Sequence, residues 1–228
     1  MASQNEERAN RILDAAAKLI ERWSYKKTTI DDIAKQAGVA KGTIYLHWKT
    51  REDLFSALII RERLRLGEVM VQQLENDSEG GTLHGMMRHA MLIALTHPLM
   101  KAIMLQDSEV LGELVHTDIG HSDAMQRIAG ARVLFEVLRS SGVIRTDISL
   151  DKQLHMLMSI TTGFLMVDKY LPEPTGFSPE EIADMAAEMI RRTFEVREAT
   201  VNEQHEMTHT LNDVLERVRE HSQKEVGL

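Results

Sequence analysis

Two histidines and a glutamate near the C-terminus have the spacing of a zinc site. His205, Glu206 and His209 fit the pattern H-E-x-x-H, in which two imidazoles bind zinc and the carboxylate activates a water molecule. Catalytic zinc needs a third protein ligand, and on one continuous helix His221 would lie about 24 Å from His205 at 1.5 Å per residue. A zinc-dependent hydrolase therefore stays an alternative, and our interpretation is that the chain has no catalytic residue, cofactor or metal. The polar loop 116–123 is a second place where a metal could bind.

A cluster of cations between residues 22 and 51 suggests a different chemistry. This segment holds seven Lys or Arg and two Asp, whereas the whole chain has a net charge of −8. One basic segment on an acidic chain indicates a single surface for an anionic partner. Within it, residues 41–47 carry a lysine, a hydroxyl and a phenol, which suit phosphate oxygens.

The composition is that of a globular protein. The chain has 228 residues, of which 43% are hydrophobic and none is cysteine, so disulfides and thiolate metal sites are excluded. The N-terminus lacks the apolar core of a secretory signal, and no run of apolar residues is long enough to span a membrane. We expect a cytoplasmic protein that has no membrane partner.

The elements that must position these residues are predicted to be helices throughout. Ile12, Leu13, Ala16, Leu19 and Ile20 recur with helical period, and no alternating strand pattern is present. The fold class is therefore all-α, with about ten helices. Their predicted ranges are 5–23, 30–37, 41–47, 51–75, 82–96, 99–115, 122–141, 149–170, 179–197 and 201–222.

Residues 29–48 have the pattern of a helix-turn-helix. Thr29 and Asp32 have the spacing of a capping box, and Gly38 follows the first helix where a positive φ is favourable. A second helix begins near Lys41, and its Ile44 is expected to pack inward with Trp48.

The same residues carry a resemblance to a known family. The run Thr28 to Ile59, TTIDDIAKQAGVAKGTIYLHWKTREDLFSALI, resembles the DNA-binding domain of the TetR family of transcriptional regulators. It departs at Trp48, where Phe is usual, at Arg51, where Lys is usual, and at Ser24, where a Gly commonly ends the first helix. The resemblance covers about 55 residues and implies a DNA-binding domain at 6–66 and an effector-binding and dimerisation domain at 67–228.

The resemblance also implies a function and a set of DNA-facing residues. Members bind near-palindromic double-stranded DNA operators as homodimers and respond to small molecules, most often as repressors, although an activator is an alternative. Phosphate contacts are expected from Thr28, Thr29, Tyr45, Lys49 and Arg51, base-edge contacts from Lys41, Thr43 and Leu46, and Gly42 and His47 complete the DNA-facing set.

The second domain is expected to hold an apolar effector and the dimer contact. Methionines are frequent there, and this flexible side chain suits an adaptable pocket. The predicted pocket residues are Met87, Met91, Met104, Met125, Met158, Thr162 and Met166. By family analogy the helices at 149–170 and 179–197 form the dimer contact.

The last predicted helix, 201–222, is an addition to the family plan. Met207, Leu211, Val214, Leu215 and Val218 form one apolar stripe on it. We expect this stripe to pack on the body of the protein or on a partner protomer.

Overall fold

The chain is all-α, as predicted. A computed structural model describes residues 2–173 and 175–226, with the side chains of residues 4–117, 125–173 and 175–220. The described backbone contains no β-strand beyond an isolated bridge between Ile144 and Glu195, and none of its helices is both long and apolar enough to cross a membrane. The helices are α1 (Ala2–Lys27), α2 (Ile30–Ala37), α3 (Lys41–His47), α4 (Arg51–Glu75), α5 (Leu83–Thr96), α6 (Pro98–Leu105), α7 (Ser108–Leu111), α8 (Asp118–Ser140), α9 (Leu150–Met166), α10 (Pro179–Phe194) and α11 (Val201–Val226).

Most predicted helices are found, and the clearest error is the single helix predicted at 99–115. That segment divides into α6, α7 and a 3-10 helix, Gly112–His116. The break falls at Gln106, which has φ 49°, and at Asp107, whose side chain caps α7. A non-glycine residue in the left-handed region interrupts the α-helical hydrogen bonds.

The helices form two compact units. The first comprises the chain up to Arg63, Pro98–Ala124 and the end of α11 from Ser222, and the second comprises Leu64–His97 and Met125–His221. The predicted boundary at residues 66 and 67 lies close to the first change of unit. Residues 98–124 group with the N-terminal helices because Leu99, Ile103 and Leu111 share one apolar core with α1.

The second unit has its own core, built mainly from α5, α8, α9 and α10. Phe135 and Phe194 pack edge to face, with their ring centroids 5.5 Å apart. Leu154 and Leu157 of α9 are buried in the same cluster.

Helix α11 packs into the second core with the stripe that the sequence predicts. Met207 is fully buried, and Leu211 and Val218 are nearly so. The helix comes close to α4 at Gly67, where an added Cβ would lie 2.8 Å from a methyl carbon of Leu215. The absence of a side chain at residue 67 therefore makes this approach possible.

Candidate nucleic-acid interface

The turn between α2 and α3 is fixed by local hydrogen bonds that the sequence predicts. The Thr29 hydroxyl oxygen accepts from the Asp32 backbone N–H at 3.2 Å, and the Asp32 carboxylate accepts from the Thr29 N–H at 3.2 Å. The hydrogen bonds from Thr29 are the main reason that the pKa of Asp32 lies below its usual value. At the other end of α2, Gly38 has φ 66° and its N–H donates to the Ala34 and Lys35 carbonyls.

Helix α3 separates an inner face from an outer one. Ile44 and Trp48 are buried in the core of the first unit. Tyr45 is 46% exposed and Leu46 is 83% exposed. Thr29, Lys41, Gly42 and Lys49 of the predicted DNA-facing set are also exposed, and Thr43 and His47 are half-buried.

Two side chains of α3, Lys41 and His47, have pKa values that differ from the ordinary ones. Lys41 Nζ lies 2.9 Å from an Asp31 carboxylate oxygen on α2, and this hydrogen bond raises the pKa of Lys41. Burial, and then the charge of Arg8, lower the pKa of His47. A lowered pKa favours the neutral imidazole of His47, whose two ring nitrogens can donate and accept a hydrogen bond.

Thr28 and Arg51, which were both predicted to contact phosphates, make hydrogen bonds within the protein. Thr28 is only 1% exposed, and its hydroxyl donates to the Ser24 carbonyl at 2.9 Å. Arg51 Nε donates to the Thr28 carbonyl at 3.1 Å, and its guanidinium lies 3.7 Å from the centroid of the Tyr25 ring. A second Arg51 nitrogen donates to the Tyr25 carbonyl.

The joint between α1 and α4 is a structural feature that the sequence did not reveal. Besides Arg51, the Tyr25 hydroxyl donates to a Glu52 carboxylate oxygen at 3.0 Å. Burial is the largest cause that raises the pKa of Tyr25, to about 12. Without DNA, Thr28 and part of the Arg51 guanidinium are thus hydrogen-bonded within this joint, and their phosphate contacts stay a prediction.

The seven residues predicted to line an effector pocket are divided between the two units. Met104 belongs to the first unit and the other six to the second. Met91 is buried, Met87 packs against the second core, and Met125 is 66% exposed on α8. Met158, Thr162 and Met166 line an open groove of about 810 Å³ on α9, together with Tyr170 and Met189. Three of the seven residues therefore share one groove, and the effector role of the set stays a prediction.

The zinc pattern lies on the solvent side of α11. His205, Glu206 and His209 are exposed, whereas Met207 between them is buried. Within the described part of the chain, no group of three His, Asp or Glu side chains is placed to hold a metal. For the predicted loop 116–123, the side chains of residues 118–123 lie outside the described residues.

Comparison with known proteins finds relatives of the segment that contains the capped α2 and α3. Residues 12–58 match the model of the bacterial regulatory proteins of the tetR family. The fatty acid metabolism regulator protein of Bacillus subtilis is 33% identical over 100 residues, or 42% of this chain and 50% of that protein. The regulator AcrR of Shigella flexneri is 36% identical over 29% of this chain and 31% of its own. The chain thus spans half or less of the length of these relatives.

Longer matches are more distant. The transcriptional repressor BepR of Brucella suis is 26% identical over 73% of this chain and 81% of its own. The structure of NalD from Pseudomonas aeruginosa, described as a repressor of a multidrug efflux pump, has a TM-score of 0.61 at 20% identity, and covers 86% of this chain and 100% of that one. SmeT of Stenotrophomonas maltophilia, also a repressor of an efflux pump, has a TM-score of 0.61 at 20% identity, with 85% and 93% coverage. These structures share the all-α fold of this chain, and residues 12–58 form a domain of the tetR family of bacterial regulatory proteins.

Proposed function

We propose that the protein is a ligand-responsive transcriptional repressor that binds a near-palindromic DNA operator. The observation that carries the proposal is the outer face of α3, where Lys41, Tyr45 and Leu46 are exposed within the segment that matches the family. The capped α2 and the buried Ile44 hold this face rigidly, so its side chains meet a major groove without rearrangement. Thr29, Tyr45 and Lys49 then contact phosphates, and Lys41, Thr43 and Leu46 lie nearest the base edges.

We also propose that two copies of the chain pair through α9 and α10. Both helices place apolar side chains in solvent, Met158 on α9 and Met185 and Met189 on α10, and Tyr170 beyond the end of α9 is also exposed. The groove that Met158 and Met189 line is open and mostly apolar, which is typical of a surface that a partner covers. The same helices bury Leu154, Leu157 and Ala186 in their own core, so the exposed stripe is a separate face.

The dimer is tested by changing the groove and measuring the molar mass in solution. Met158→Asp combined with Met189→Asp places two carboxylates in the contact, so light scattering should show a monomer. Met125→Asp is the matched control, because Met125 is even more exposed than Met158 and Met189 but lies on α8 and does not line the groove. A double variant that kept the mass of a dimer would contradict this contact.

The effector is proposed to be a small, apolar molecule that binds the second unit and releases the operator. BepR, NalD and SmeT are named as repressors, and a structure of SmeT is described as a complex with triclosan. A ligand that binds better to a conformation unable to bind DNA lowers the DNA-competent population. In this scheme the protein has no enzymatic activity of its own, and it acts in the cytoplasm beside its DNA.

The direct test of repressor function uses the DNA next to the protein's own gene. We expect a gel shift with this DNA, and we expect added salt to weaken the complex because phosphate contacts release counterions. In a reporter strain, deletion of the gene should raise expression from the shifted promoter. A fall in expression would instead indicate an activator.

A further inference from the structure

Leu46 is exposed to a degree that the fold does not explain. It is 83% exposed, whereas Ile44 and Trp48 at the neighbouring positions of the same segment are buried. Its side chain therefore contributes little to the core of the first unit, and an isolated leucine in water adds nothing to folding. Its flanking residues are Tyr45 and His47, so Leu46 is a single apolar group on a polar surface.

Gly42, one helical turn before Leu46, is likewise not needed by the fold. Its φ does not fall in the left-handed region, and an added Cβ would have no described heavy atom within 4 Å. Alanine would fit there and is the better helix former. The missing side chain instead leaves open space beside the backbone of α3.

These two positions lie on the same face of α3. They are four residues apart, and a Cβ built at Gly42 would have no atom of the Leu46 side chain within 4 Å, so open space separates them. The result is an apolar step, which we define by Leu46 and the bare backbone at Gly42.

We propose that the apolar step receives the 5-methyl group of a thymine at one position of each operator half-site. Thymine is the base that presents a methyl group in the major groove, and apolar side chains are suited to contact it. DNA is favoured over an apolar protein partner because the step lies in the segment with seven Lys or Arg and two Asp. The inference rests on the proposed function, and it adds which base is selected and by which residues.

The test removes the methyl group from the DNA and the leucine from the protein. A duplex is obtained by random-site selection, and each thymine is replaced in turn by deoxyuridine, which lacks only the methyl. Wild-type affinity should fall about fourfold at one position per half-site, as expected for one buried methyl. The Leu46→Ala variant should bind the two duplexes equally.

A control variant and a second variant complete the design. Lys35→Ala changes an exposed side chain of α2, and it should keep the fourfold sensitivity to the methyl group. Gly42→Ala fills the step, so it should weaken binding to the selected duplex while leaving the thermal midpoint of the protein at least as high.

Two results would overturn the inference and leave DNA binding intact. In one, uracil at every thymine leaves wild-type affinity unchanged within twofold. In the other, Leu46→Ala loses the same fourfold at the same thymine. Failure to select any DNA would overturn the proposed function and the inference together, so the two failures are distinguishable.

Discussion

Ser24 occupies a backbone conformation that only glycine adopts readily, and replacing it should stabilise the first unit. Its φ is 67° and its ψ is 167°, in a region that costs a non-glycine residue on the order of 1–3 kcal/mol. Glycine removes this strain but loses about 0.5–1 kcal/mol through the greater freedom of the unfolded chain. The hydrogen bond from Thr28 is made to the Ser24 backbone carbonyl, so glycine keeps it. Ser24→Gly should therefore raise the free energy of unfolding by about 0.5–2 kcal/mol.

The assay is urea unfolding followed by tryptophan fluorescence. The chain has two tryptophans, and Trp23 and Trp48 both lie in the first unit, so their emission reports this unit. Ser24→Ala is the matched control, because it removes the hydroxyl but keeps the Cβ that causes the strain. Its stability should stay within about 0.5 kcal/mol of wild type. The reasoning is refuted if the glycine variant is no more stable than the alanine variant.

Three further predictions concern DNA contact, pH and the added helix. Tyr45→Ala should weaken binding to all DNA sequences by similar factors in a fluorescence anisotropy titration, because we assign its phenol to a phosphate; a changed sequence preference at equal affinity would contradict this. His84 lies 2.9 Å from a Glu195 carboxylate oxygen, and this hydrogen bond is the main cause that raises the pKa of His84. Its stabilisation is therefore complete below the ordinary histidine pKa and is lost as pH rises through the raised value. Glu195→Gln should lower the free energy of unfolding by about 1.5 kcal/mol at pH 6 and by less at pH 9, measured by circular dichroism in urea; an equal loss at both pH values would contradict the pairing. Met207→Ala should cost about 2–5 kcal/mol because Met207 is fully buried, whereas His205→Ala on the exposed side of α11 should cost less than about 0.5 kcal/mol; similar losses in the two variants would contradict the packing of this helix.

The parts of the fold that the sequence predicts best are those fixed by neighbouring residues. The capping box at Thr29 and Asp32 and the left-handed turn at Gly38 involve residues at most five apart, so α2 and α3 have their predicted bounds. The break at Gln106 has no Gly or Pro beside it, and its one local signal is Asp107, whose side chain caps α7. The left-handed φ of Gln106 itself has no such signal, because it is not a glycine.

The functional residues were predicted less completely, because their surroundings depend on contacts between residues that are far apart in the sequence. Periodicity shows that α9 is apolar on more than one side, but not which side its own core covers. Leu154, Leu157 and Leu165 are buried, whereas Met158 and Met166 line an open groove, a division that periodicity alone does not reveal. The joint that holds Thr28 also depends on residues from α1 and α4 that are far apart in sequence.

We propose above all that the outer face of α3 binds a specific DNA sequence. Random-site selection with the purified full chain tests this binding. We expect enrichment of an inverted repeat whose half-sites lie about one helical turn, or a multiple of it, apart. A combined Tyr45→Ala and Leu46→Ala variant should enrich this repeat more weakly than the wild type and without a preference for thymine at the position that Leu46 contacts, since both changes lie on the exposed face and leave the core intact. Enrichment by this variant equal to that of the wild type, or selection of no sequence by the wild-type protein, would contradict DNA binding by this face.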